Sequence, residues 1–220
     1  MLLLHIRELH YLTKNHGHRV VPIEKGTMTE KSGLKEEMVT LKHFLSAFLC
    51  PSSSKLVWSL MHSTKDSTAQ SSIAYLAQHQ LFEQIPELLK DIEASPPLCG
   101  DDGPSNTNAW IGTGGTRTPL HYDSYDNLFV QIVGAKYIRL YHPRETSNLH
   151  VMKQSDTSYG KQGNISSVDC ELEDFSLHPM AEHAKYSEAL LFPGDCLYIP
   201  SRHWHYVRSC CTSASVNFWF

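Results

Sequence analysis

The chain has 220 residues, 41% of them hydrophobic and 19% charged, with a formal net charge of −4. That supplies enough apolar material for a sizeable core and excludes a disordered chain. Lys and Arg form no long run, so nothing marks a nucleic-acid or membrane surface, and the six cysteines fall without a Cys-x-x-Cys pair, as reduced structural thiols do.

The apolar start Met1-Leu2-Leu3-Leu4 is interrupted by His5, Arg7 and Glu8, too early for a signal-peptide core or a bilayer span. Ile6 to Asn15 has helical spacing with Gly17 as its stop, and "RVVPIE" then reads as a short strand that Pro22 assigns to a sheet edge. Thr40 to Phe48 predicts a helix with Thr40 as N-cap. "KLVWSLM" after the Pro51–Ser54 turn reads as a strand, and residues 63–72 as a loop. "AQHQLFEQIPELLKDI" predicts short helical turns, one of them opened by Pro86, before a turn-rich connection.

From Asn108 onward the texture changes to short β-rich runs, "NAWIG", "NLFVQIV", "KYIRLYH", "ALLF", "CLYIP", "HYVRS" and "SASVNFWF", separated by Gly, Pro or Asp clusters. Helices first and many strands afterwards imply an α+β, mainly β, architecture. "FVQIVGAKYIRLY" predicts a hairpin with Gly134-Ala135 at its tip. Alternation then puts Lys136, Ile138 and Leu140 on one face and Tyr137, Arg139 and Tyr141 on the other. Residues 144–187 are polar and irregular, an excursion from this body.

The chemistry concentrates at "RTPLHYDSYDN". A His-x-Asp pair in one strand sends both side chains to the same face, so His121 and Asp123 are candidate metal ligands. Gly115, five residues, His121, Tyr122, Asp123, three residues, Asn127, six residues and Gly134 follow the first metal motif of small cupin barrels. Gly194, Asp195 to Ile199, Pro200 and His205 follow the second. Asp123 in place of a second histidine and Asn127 in place of the glutamate leave two imidazoles and one carboxylate, the facial triad of non-haem Fe(II) oxygenases. Three coordination positions then stay open for a bidentate 2-oxo acid and dioxygen.

A 2-oxo acid carries a distal carboxylate that needs a buried cation, and Lys136 is the candidate. Thr118 and Tyr75 offer hydroxyl donors, and Asn127 an amide for the carboxylate nearer the metal. Asp126 is a rival ligand whose odd spacing from His121 puts it on the opposite strand face, and His203 is a rival to His205 that shares its face. His5, His10, His16, His18 and His62 are read as surface residues.

The segments "YLAQHQLFEQIPELLKDI", "NAWIG", "TPLHYD", "NLFVQIVGAKYIRLYHP", "PGDCLYIPSRHWHYVRS" and "SVNFWF" cover most of residues 75–220. Together they resemble the JmjC-domain Fe(II)- and 2-oxoglutarate-dependent oxygenases, in particular the group called lysine demethylase eight or Jumonji-domain protein five. The resemblance implies a double-stranded β-helix, the cupin-like jelly roll, with N-terminal and flanking helices. It implies one domain over residues 1–220: an N-terminal part, 1–74, with a substrate-side strand, and a β-helix core, 75–220, holding the excursion. The family's first strands and a helix before the position of Leu9 have no counterpart in the sequence.

By the same resemblance His121, Asp123 and His205 are the Fe(II) ligands, with no catalytic residue separate from them. Tyr75, Thr118, Asn127 and Lys136 contact 2-oxoglutarate, and Trp219 is the family's pocket tryptophan. Glu24 and Trp110 hold the substrate side chain, a pairing that suits a guanidinium. The implied reaction consumes dioxygen, converts 2-oxoglutarate to succinate and hydroxylates C-3 of an arginine in a protein or peptide substrate, in the nucleus or cytoplasm. The alternatives are demethylation of a histone methyl-lysine through N-methyl hydroxylation, and an inactive peptide-binding domain.

Overall fold

The computed structural model describes residues 9–26, 34–49, 73–92, 96–152, 163–172 and 175–220. The expected strand at "KLVWSLM" and the loop at 63–72 lie outside these residues, as do His5, His62 and Cys50.

The N-terminal part places helix α1 (Leu9–His16) before strands β1 (Val20–Lys25) and β2 (Lys35–Thr40). A side chain at Gly17 would meet the Thr13 carbonyl at 2.2 Å, so the helix ends there. Helix α2 (Leu41–Phe44) starts at Thr40, whose hydroxyl accepts from the His43 amide at 3.2 Å, and runs into one wider helical turn over Leu45–Leu49. Strand β3 (Ala74–His79) is followed by the short helix α3 (Leu81–Gln84) and a 3₁₀ turn over Pro86–Asp91 that Pro86 opens. Ala77 to His79 therefore belong to a strand, not to the helical turns expected there.

The body consists of β4 (Asn106–Gly112), β5 (Arg117–His121), β6 (Asn127–Val133), β7 (Lys136–Tyr141), β8 (Tyr186–Leu191), β9 (Cys196–Ile199), β10 (Trp204–Ser209) and β11 (Ser213–Trp219). Among the described residues the strands form a seven-stranded sheet, β2-β1-β3-β4-β11-β6-β9, and a four-stranded sheet, β5-β10-β7-β8. All pairings are antiparallel, giving a cupin-like jelly-roll sandwich.

Two expectations, one about a turn and one about a sheet edge, fail. Gly134-Ala135 is not a hairpin tip: β6 pairs with β11 and β9, whereas β7 pairs with β10 and β8, so the dipeptide is a corner between the sheets. Gly134 has φ +71°, and a side chain there would meet the Thr212 carbonyl at 2.2 Å. Pro22 does not lie on the edge strand either, because β2 sits outside β1. The β1–β3 register covers only Glu24 and Lys25, so Pro22 has no β3 partner on that side.

The outer face of the long sheet carries Val21, Ile23, Leu76, Ala109, Ile111, Ile132, Val216 and Phe218, buried against Leu12, Leu41, Phe44, Leu45, Leu81 and Leu88 of the N-terminal helices and turns. At roughly 1.5–3 kcal/mol for each large side chain, this cluster is a main source of stability. The outer face of the short sheet is covered by the excursion, where Leu149, Val168, Cys170, Ala181 and Ala184 pack on Leu120, Tyr141, Trp204 and Tyr206. Between the sheets Phe129, Ile138, Leu191, Ile199 and Val207 close one end, with Leu140 packed against them. The alternation expected for β7 holds, and Lys136 is fully buried in this interior.

Candidate metal centre

His121 ends β5, and His205 lies directly opposite it in β10. Asp123 is not in the strand, as the His-x-Asp argument required, but in the loop after it. That loop is held from three directions. Tyr122 exchanges hydrogen bonds with Asn164, the Arg202 amide donates to the Asp123 carbonyl at 2.8 Å, and Asp126 pairs through its backbone with Phe220. The result is a group of three donors whose ligand atoms all lie within 4.8 Å of one another. His121 Nε2 is 3.8 Å from Asp123 Oδ1, and His205 Nε2 is 3.6 Å from Oδ2.

The imidazole tautomers suit a cation. His121 Nδ1 lies 2.8 Å from the Pro119 carbonyl and His205 Nδ1 lies 3.0 Å from the His203 carbonyl. Each Nδ1 must donate there, which leaves both Nε2 lone pairs facing the carboxylate. Burial pushes the Asp123 carboxyl above its ordinary range, partly offset by His121, and holds the His205 imidazolium well below its own. Two imidazoles that turn Nε2 toward one desolvated carboxylate form a donor set that a divalent ion completes electrostatically, so these residues fit a ferrous ion.

The rivals are engaged elsewhere. Asp126 Oδ1 accepts from the Tyr198 hydroxyl at 2.6 Å and the Ser201 amide at 3.1 Å. The His203 ring packs edge-on against His142 at 5.1 Å. His10 and His18 are exposed as expected, but His16 is buried against the Tyr11 ring.

The triad opens into a cavity of about 830 Å³ whose walls include Glu24, Tyr75, Trp110, Thr118, Asn127 and Trp219. Behind two of its lining residues, Tyr75 and Phe129, the buried Lys136 ammonium lies 3.3 Å from the Tyr75 hydroxyl and over both rings. Desolvation depresses the Lys136 pKa to about 7. Tyr75 is hydrogen-bonded in turn to Thr118. Thr118 is three residues from His121, an odd spacing that simple alternation sends to the other face. A bulge resolves this: between the pairs His205–His121 and Val207–Thr118, β5 carries one residue more than β10, so both side chains reach the cavity.

Glu24 is paired in register with Tyr75, and the Tyr75 and Trp110 rings lie 6.0 Å apart, which puts a carboxylate and an aromatic face on one wall. Burial and the neighbouring Glu36 raise the Glu24 pKa. Trp219 stacks on Tyr125 at the rim, with ring centroids 5.5 Å apart. Sequence reasoning passed over Asn217, which is buried in β11 between Trp110 and Asn127 and bonded to both. A lone asparagine in a β-rich run gives no local signal; only the adjacency of β4, β11 and β6 shows its place.

The matching family description is "Cupin-like domain", over residues 5–220. JmjC domain-containing protein F of Dictyostelium discoideum is 40% identical over 260 residues, covering 97% of this chain and 53% of that protein. Lysine-specific demethylase 8 of Danio rerio is 37% identical over 219 residues, 98% of this chain and 49% of the relative. Jumonji C domain-containing protein 5 of Drosophila melanogaster is 37% identical over 218 residues, 97% and 50% respectively. The chain thus spans about half the length of the curated relatives it matches.

Proposed function

The chain belongs to the cupin-like JmjC family, and from that premise we propose that it is an Fe(II)- and 2-oxoglutarate-dependent oxygenase that hydroxylates C-3 of an arginine side chain in a protein substrate. His121, Asp123 and His205 would hold the iron, which with 2-oxoglutarate and dioxygen supplies the oxidising chemistry for a C–H bond.

The remaining work falls to positioning. Lys136, Tyr75 and Thr118 form a buried cationic and hydroxyl cluster suited to the distal carboxylate of the co-substrate. A carboxylate beside Lys136 reverses the depression of its pKa, because the ammonium then has a counter-charge. Asn127 offers an amide at the same cavity for the carboxylate that would lie nearer the metal. The stacked Tyr125 and Trp219 rings add an aromatic surface to the cavity.

The observation that carries the arginine reading is the wall formed by Glu24, Tyr75 and Trp110 in the triad's own cavity. A carboxylate whose pKa is raised by burial and by another acid gains most from a fixed cation, and a guanidinium also stacks on indole. Mass spectrometry of an arginine-containing peptide incubated with iron-loaded protein and 2-oxoglutarate is expected to show the gain of one oxygen.

Methyl-lysine demethylation is the second reading, favoured by the names of relatives such as lysine-specific demethylase 8 and lysine-specific demethylase JMJ30 of Arabidopsis thaliana. Loss of a methylene mass from a methyl-lysine peptide, with no oxygen gain on arginine, reverses the ranking. Peptide binding without turnover of 2-oxoglutarate to succinate in folded, iron-supplied protein would reduce the domain to a binding module.

A further inference from the structure

The inner face of the long sheet holds a chain of side-chain hydrogen bonds that runs from one wall of the cavity to the other. Trp110 Nε1 donates to Asn217 Oδ1 at 2.8 Å, and Asn217 Nδ2 donates to Asn127 Oδ1 at 3.0 Å. The three residues stand on adjacent strands, β4, β11 and β6, so the chain spans roughly 10 Å across the sheet. Asn217 is 1% exposed and Asn127 5%, and both ends line the cavity of the triad.

The direction of this chain is not arbitrary. An asparagine taken alone can place its oxygen or its nitrogen at a given partner. An indole N–H, however, can only donate. The Asn217 atom facing Trp110 must therefore be its oxygen, and the atom facing Asn127 must be its nitrogen. Asn127 must then meet Asn217 with its oxygen, which leaves the Asn127 amino group for the cavity. That group is a hydrogen-bond donor, the polarity a carboxylate requires and a cation rejects.

We propose that Asn217 is a positioning residue through which the Trp110 indole sets the polarity of Asn127, so that the wall contacting the substrate side chain also orients the donor for the co-substrate carboxylate. This inference rests on the oxygenase reading above. Its consequence is linkage between the two ligands: a change at Trp110 alters the affinity for 2-oxoglutarate, and by reciprocity 2-oxoglutarate alters the affinity for the peptide.

The test uses the full chain loaded with Mn(II), titrated calorimetrically with 2-oxoglutarate, in wild type, Trp110→Phe, Asn217→Leu and the double variant. A hydrogen bond of ordinary net strength corresponds to about a three- to tenfold change in Kd. Trp110→Phe keeps an aromatic ring and all direct contacts of Asn127, yet it is expected to weaken 2-oxoglutarate binding about threefold. Asn217→Leu is expected to weaken it about tenfold, and the double variant no further than Asn217→Leu alone. With Fe(II), Asn217→Leu, which removes no group assigned to the substrate side chain, is expected to form less hydroxylated peptide per succinate.

Should Asn217→Leu fail to fold, Trp110→Phe decides the matter alone. If Trp110→Phe binds 2-oxoglutarate as tightly as wild type, or if the losses multiply in the double variant, the relay is overturned while the oxygenase reading stands. A wild-type chain that neither binds 2-oxoglutarate nor forms succinate overturns both.

Discussion

Along β11 the residues alternate between two environments. Ser213, Ser215, Asn217 and Trp219 face the space between the sheets, while Ala214, Val216 and Phe218 face the N-terminal helices. The helix side is a continuous apolar cluster in which close packing supplies the stability. The cavity side is polar and equally shielded from water, so its groups need partners: Ser215 donates to Gln131 at 2.7 Å, Gln131 to the Val133 carbonyl at 2.7 Å, and Asn217 to Asn127 at 3.0 Å. One strand thus serves two purposes through its period of two, and damage to its two faces should register in different measurements.

Phe218→Ala attacks the packed face and is expected to have the largest effect, about 3–5 kcal/mol of unfolding free energy by chemical denaturation. In the protein that remains folded, 2-oxoglutarate affinity should stay within about twofold of wild type, because a residue on the helix side touches no cavity group; a larger loss would show that the faces are not separable. Asp123→Ala attacks the cavity alone. It should lower succinate formation by at least about a hundredfold, beyond the usual cost of losing a group that only supports a ligand. Since Asp123 lies in a loop and burial raises its carboxyl pKa, which costs folding stability near neutral pH, the metal-free variant should be at least as stable to unfolding as wild type.

Lys136 gives the smallest and most diagnostic effect. Its pKa falls from 10.5 to about 7 on folding, so between those values the unfolded chain binds more protons than the folded one. The destabilisation is therefore fully present below about pH 7 and fades as pH rises towards 10.5. The unfolding free energy of wild type relative to Lys136→Met should rise by roughly 1–3 kcal/mol between about pH 7 and pH 9 in the absence of 2-oxoglutarate. A flat difference would mean that the ammonium has a counter-charge in the ligand-free protein.

What could be read from the sequence was local. His121, Asp123 and His205 announced themselves by spacing to glycines and a proline in the same short segments, and Lys136 by alternation within one strand. What could not be read depended on neighbours distant in sequence. A glycine corner between β6 and β7 has the same local signature as a hairpin tip, and only the partners β11 and β10 distinguish them. Strand β2 was missed because "KEEMVT" sits at a sheet edge with one buried residue, so it shows no alternation. Thr118 reaches the cavity only through a bulge, and Asp123 only through a loop, so counting residues placed them beside His121 without the geometry that brings them there.

The direct opposition of His121 and His205 across β5 and β10 has a kinetic corollary. Among the described residues β5 is the outermost strand of its sheet, covered along its far side by the bridge from His121 to Ile165, which consists of the Ser166 amide on the Leu120 carbonyl and the Tyr122 amide on the Asn164 carbonyl. An ion held by both imidazoles would tie the two strands together across that seam, adding its binding energy to their pairing. Peeling of β5 should then become rarer as metal is supplied, and amide exchange in that strand should slow with it.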